Sequence, residues 1–169
     1  MDLETLILGS IVVLTCIIPI IILKTKSTVK KKKFTGLLYT TAQKYNTTIS
    51  RYDHWNNSVI GLGKNNRQIF LVRIYKKEEI IQAIDLSLFN KCSVINDNSK
   101  AAYKEGNFKV TNGVDLELKG DNNRVQRISF YNMEKDGFFL TNELELADKW
   151  CRIINDCVTQ RAWHRDAVK

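Results

Sequence analysis

The chain has 169 residues, with 26 Lys and Arg against 18 Asp and Glu, a formal charge of +8, and 44% hydrophobic residues. That is apolar material for one folded domain of ordinary size, and it argues against a disordered chain. The four cysteines form no Cys-x-x-Cys pair and have no His-rich neighbourhood, so no metal or cofactor is expected.

Residues 5–23 run for nineteen positions without a charge. At about 1.5 Å of rise per residue, such a helix matches the hydrocarbon layer of a bilayer. Met1-Asp-Leu-Glu4 makes an acidic start and no Ala-x-Ala follows, so the run does not resemble a cleaved signal peptide. Pro19 is tolerable in a spanning helix. Six lysines follow the run (Lys24, Lys26, Lys30, Lys31, Lys32 and Lys33), and none precedes it. This asymmetry predicts a single-pass protein of the cell membrane, with its N-terminus outside and its remainder cytoplasmic. Without those six lysines and the two N-terminal acids, 20 basic residues remain against 16 acidic ones. Much of the basic excess therefore sits at the membrane edge, where it sets topology or meets anionic headgroups. This placement argues against nucleic-acid binding. In a reducing cytoplasm Cys92, Cys151 and Cys157 read as small buried hydrophobes, and Cys16 belongs to the apolar run.

The expected organisation is an anchor over 1–24, a basic linker over 25–33, one domain over 34–162 and a polar tail over 163–169. Phe34, Leu37, Leu38, Thr41, Ala42 and Tyr45 fall at helical spacing, so a short helix precedes the first strand. Ile49–Trp55 reads as extended. Ser58–Gly63 and Gln68–Tyr75, joined by Lys64-Asn-Asn-Arg67, read as a hairpin. Alternation from Glu79 to Phe89 predicts another strand, continued or followed by Lys91–Ile95. A polar excursion over 97–113 predicts either a contact loop or a disordered stretch. Its Lys100, Tyr103, Lys104, Phe108 and Lys109 are the candidate partner-binding residues. Gly113–Leu118 and Arg124–Tyr131 flank the turn Gly120-Asp-Asn-Asn123 and form a second hairpin. In the final helix Asn142 is the expected cap, with Glu145 reaching back to it. Leu146, Ala147, Trp150, Ile153, Ile154, Cys157 and Val158 make one apolar stripe, and Glu145, Asp148, Lys149, Arg152 and Asp156 lie opposite.

Six or seven strands in hairpins followed by one amphipathic helix is the order of a pleckstrin-homology-like domain. Asn57–Gly63, Gln68–Val72 and Ile84-Asp-Leu-Ser-Leu88 with Val94 resemble the bacterial pleckstrin-like and GRAM pattern. Glu143–Asp156 resembles the end of bacterial single-span membrane proteins with this layout. The resemblance covers about residues 34–160. It implies an α+β fold: a strongly bent antiparallel barrel or sandwich closed at one end by the terminal helix. Its motifs carry no catalytic residues, and the turn at 64–67 offers only Lys64 and Arg67 for an inositide headgroup.

No constellation of residues marks an enzyme. Asp53 and His54 are neighbours in a strand and point to opposite faces, so they form no acid–base pair. Gly61-x-Gly63 leads into another strand, whereas a phosphate-cradling loop opens a helix. The expected role is a non-enzymatic, membrane-anchored module that presents its domain to a membrane-protein partner. The alternative is binding of anionic lipid or a small ligand through the open barrel end and the juxtamembrane lysines.

Overall fold

The computed structural model describes Thr15, Val29 and residues 31–75, 78–103, 106–137 and 139–166; over 99–103, 106–109 and 161–166 the description is of backbone alone. The expected membrane span over 5–23 lies outside the described residues apart from Thr15. Among the described residues no helix is long and apolar enough to cross a membrane.

A helix over 31–44, α1, precedes seven strands: β1 Ile49–Trp55, β2 Ser58–Gly63, β3 Gln68–Tyr75, β4 Glu78–Asp85, β5 Lys91–Tyr103, β6 Gly106–Lys119 and β7 Val125–Asn132. A one-turn helix, α2 (Met133–Asp136), and a long one, α3 (Glu143–Asp166), complete the order. The strands form two antiparallel sheets, β1-β2-β3-β4 and β5-β6-β7. Asparagines shape the turns. Asn56, Asn66, Asn122 and Asn123 all take positive φ, between 43° and 59°, a conformation their short polar side chains tolerate better than most.

The expected closed barrel is not formed. β4 stops at Asp85, whose carboxylate accepts from Ser87 N and starts a 3-10 turn at Leu86–Leu88. The alternation read as continuous strand to Phe89 is thus broken by one side-chain bond. At the opposite join, side chains replace the ladder. Trp55 Nε1 donates to Phe130 O at 2.7 Å, and the Arg73 guanidinium donates to Ser129 O. The result is two packed sheets without a continuous wall.

Both faces of the four-stranded sheet are covered, which explains why every residue of β2 is buried. Phe34, Leu38 and Ala42 of α1 pack on Val59, Phe70 and Val72. The other face meets β5–β7 and the predicted stripe of α3, with Trp150 and Ile154 fully buried among Ile60, Leu86, Leu116 and Phe130. α1 approaches closely enough that a Cβ on Gly61 would lie 2.8 Å from Leu38 Cδ2. The start of α3 differs from expectation. Glu143, not Glu145, reaches back, accepting from Thr141 N at 2.6 Å and from Asn56 Nδ2 at 2.9 Å.

The described residues of the polar excursion over 97–113 are strand. β5 and β6 stay paired from Lys91↔Lys119 to Tyr103↔Gly106, with one bulge at Asp97/Asn98. Lys100 and Tyr103 lie in β5, Phe108 and Lys109 in β6, and Lys104 lies outside the described residues.

Gly120 supports the junction between the 3-10 turn and the β6–β7 turn, where an added Cβ would sit 2.0 Å from Leu88 O. Gly120→Ala should therefore destabilise the fold by about 1–3 kcal/mol, as overpacking against backbone does. Gly36→Ala, with nothing within 4 Å of its Cβ, should be neutral or stabilising by up to about 1 kcal/mol. Urea midpoints of the two variants check this; equal midpoints would refute the contact at Leu88.

Candidate interaction surface around strand β1

β1 is a terminal strand of its sheet, and its side chains alternate between two helices. Arg51, Asp53 and Trp55 face α3; Tyr52 and His54 face α1. A cleft lies on each side.

On the α3 side the cleft has a volume of about 700 Å³ and is lined by Arg51, Asp53, Glu145, Lys149, Arg152 and Ile153, among others. Asp53 forms its floor. Its carboxylate accepts from Lys149 Nζ at 2.7 and 2.9 Å and from Trp150 Nε1 at 3.0 Å. With these three bonds Asp53 ties β1 to α3. Deeper in, Trp55 stacks on Phe130 with ring centroids 4.5 Å apart. Arg73 lies 5.9 Å from the centre of the Trp55 ring.

On the α1 side a cleft of about 500 Å³ is lined by Lys31, Lys32, Thr35, Tyr39, Tyr52 and His54, with Gly36 at its rim. His54 Nε2 is 3.1 Å from Thr35 Oγ1. Its ring meets Phe34 and Tyr52 edge-on, and Tyr39 meets Tyr52 the same way. Burial, and then the nearby Lys31 ammonium, hold the His54 pKa below its ordinary 6.5, while Asp53 acts weakly in the opposite sense.

The six lysines that follow the apolar run divide. Lys31 and Lys32 line the α1 cleft, Lys33 is bonded to Glu79 of β4, and Lys24, Lys26 and Lys30 lie outside the described residues. The candidate residues Lys100, Tyr103, Phe108 and Lys109 belong to the far β5–β6 ribbon and are not brought to these clefts. A third, open cleft of about 500 Å³ at the far end of α1 carries only Lys64 as a cation among the described residues.

Other polar groups are committed to structure. Glu117, nearly buried, accepts from Arg127 at 2.7 and 2.9 Å and pairs with Lys119 at 3.0 Å; these bonds hold its carboxyl below the usual range. Burial pushes the Cys92 thiol up, as does the neighbouring Cys151. Among the described residues no group of three or more His, Cys, Asp or Glu side chains could hold a metal ion.

The sequence signal for the surface was present but partial. Strand alternation separates Asp53 from His54, yet nothing local shows that β1 is an outer strand or that Lys149 turns toward it. Comparison with protein-family models, curated proteins and solved structures finds no match to this chain.

The His54 environment has a pH consequence. Its folded pKa lies below the unfolded 6.5, so on acidification the unfolded chain takes the proton first. Stability from this site is complete above pH 6.5 and declines as pH falls through the window just below. Lys31→Gln should raise the His54 pKa toward 6.5, read by NMR titration of the imidazole. An unchanged value in that variant would contradict the assigned role of Lys31.

Proposed function

We propose that this chain is a non-enzymatic module, tethered to the cell membrane through residues 5–23 with its N-terminus outside, that presents its β-rich domain to a protein partner at the cytoplasmic face. The observation that carries this reading is the short distance between the apolar run and the domain. Only residues 24–30 separate Leu23 from α1, and α1 is packed onto the sheet through Phe34 and Leu38. Seven residues reach roughly 25 Å at full extension. The domain is thus confined to a thin layer beside the bilayer, which raises its effective concentration toward other membrane components.

The non-enzymatic part is supported by the state of the polar side chains. Asp53, Glu117 and Glu143 each have their oxygens bonded to neighbours, and His54 is held between aromatic rings. The pleckstrin-like resemblance supports this reading through the order of elements alone, antiparallel strands followed by a long terminal helix; barrel closure is no part of it. Lysines at the membrane edge add attraction to anionic headgroups, at about 1 kcal/mol each near the surface.

Alkaline carbonate should leave the full chain in the membrane pellet, and protease added to spheroplasts should leave its domain intact. Crosslinking in native membranes should then join the domain to a membrane protein. Release by carbonate, or digestion from outside, would overturn the reading.

A further inference from the structure

We propose that the outer edge of β1 takes up an extended, acidic segment of the partner protein as an added strand. This rests on the reading of the chain as a partner-presenting module and assigns the site that performs that role.

Two antiparallel sheets have four edges, and an edge strand offers alternate N–H and C=O groups with no ladder partner. Two of the four edges are covered in part by side chains. On β5 the Asn155 amide pairs with both backbone groups of Cys92: Cys92 N donates to Oδ1 at 2.8 Å, and Nδ2 donates to Cys92 O at 2.9 Å. On β7 the carbonyls of Ser129 and Phe130 accept from Arg73 and Trp55. β4 and β1 remain. β4 carries Ile80 and Ile81, both about two-fifths exposed, beside the acids Glu78 and Glu79, and no described cleft flanks it.

β1 is different because a cleft lies against each of its faces. An added strand alternates its side chains between the two faces of the sheet. One set would enter the α3 cleft and the other the α1 cleft, which is how strand addition gains specificity beyond its backbone bonds. The charges select the guest. Arg51, Lys149 and Arg152 line one cleft with Asp53 and Glu145, and Lys31 and Lys32 line the other with no acid among the described residues. Lys149 already neutralises Asp53, whereas Arg51 and Arg152 have no bonded partner among the described residues. Acidic side chains suit the α3 cleft. The edge-on Tyr39–Tyr52 pair offers the α1-side residues an aromatic wall. Past the bulge at Ile49/Arg51, the regularly paired residues Arg51–Trp55 span roughly 17 Å and match a guest of similar length.

The test uses the full chain in detergent micelles and an acetylated, amidated octapeptide of four Glu-Val repeats carrying fluorescein. Anisotropy should show binding, and hydrogen exchange should slow at β1 amides. The doubly reversed variant Arg51→Glu, Arg152→Glu should weaken binding by about tenfold or more. Neither arginine supports the fold, and circular dichroism confirms that the variant is folded. Ile80→Lys on β4 should leave affinity within about twofold. The proposal is overturned by any of four results: no binding at about 1 mM peptide; equal binding of the Lys-Val peptide; equal binding of a Glu-Val peptide N-methylated at alternate amides; or a dimeric chain whose β1 amides are protected before peptide is added. Crosslinking that seats a membrane partner on β4 would sink the β1 site and leave the tethered-module reading standing. Carbonate release would sink that reading whatever the peptide does.

Discussion

A single hydrogen-bonded node fixes the arrangement of the domain: the buried Trp150 indole and the Asp53 carboxylate. Trp150 supplies the largest side chain of the α3 stripe and is fully buried. An indole N–H left without an acceptor there would cost about 1–3 kcal/mol. Asp53 is the acceptor, and Lys149, one residue before the tryptophan, neutralises it from the rim. Helix rotation, β1 position and carboxylate charge are therefore set together. Turning α3 by one residue would expose the stripe and separate both donors from Asp53. The two clefts around β1 exist because this node holds the strand against α3 on one side while α1 covers the other.

Much of the architecture was legible in local patterns. Asn-rich turns between alternating runs marked the hairpins, and the seven-position stripe from Leu146 to Val158 marked α3 and its buried face. Other parts were not legible because the deciding bonds are local side-chain events or very distant ones. Leu86 and Leu88 continue a period of two, yet the bond from Ser87 N to Asp85 turns that stretch into a 3-10 turn. The joins between sheets use Trp55 with Phe130 and Arg73 with Ser129. Such contacts, separated by 75 and 56 residues, leave no trace in spacing, so the expected barrel could not be told from two sheets. Only the part of the β5–β6 ribbon over 97–113 reads as an excursion, because its polar sequence lacks the alternation of a strand with one buried face.

The candidate surface was harder still to read. Alternation assigns side chains to faces, but it does not say which strand ends a sheet, and an available edge is a property of the whole topology. The residues around β1 come from α1, β1 and α3, nearly the full length of the domain. Their shared feature is charge left over after structural pairing is complete. That remainder is visible only once Lys33, Arg73, Arg127 and Lys149 are seen to be already engaged.

Asn155 illustrates how little separates a stable domain from a sticky one. Its amide imitates one peptide unit and occupies the place a neighbouring chain would take on β5. An open edge invites runaway self-assembly. At Cys92 of β5 the guard against it is a helical residue outside any strand. A shortened side chain at that position would reveal itself less as lost folding than as lost solubility.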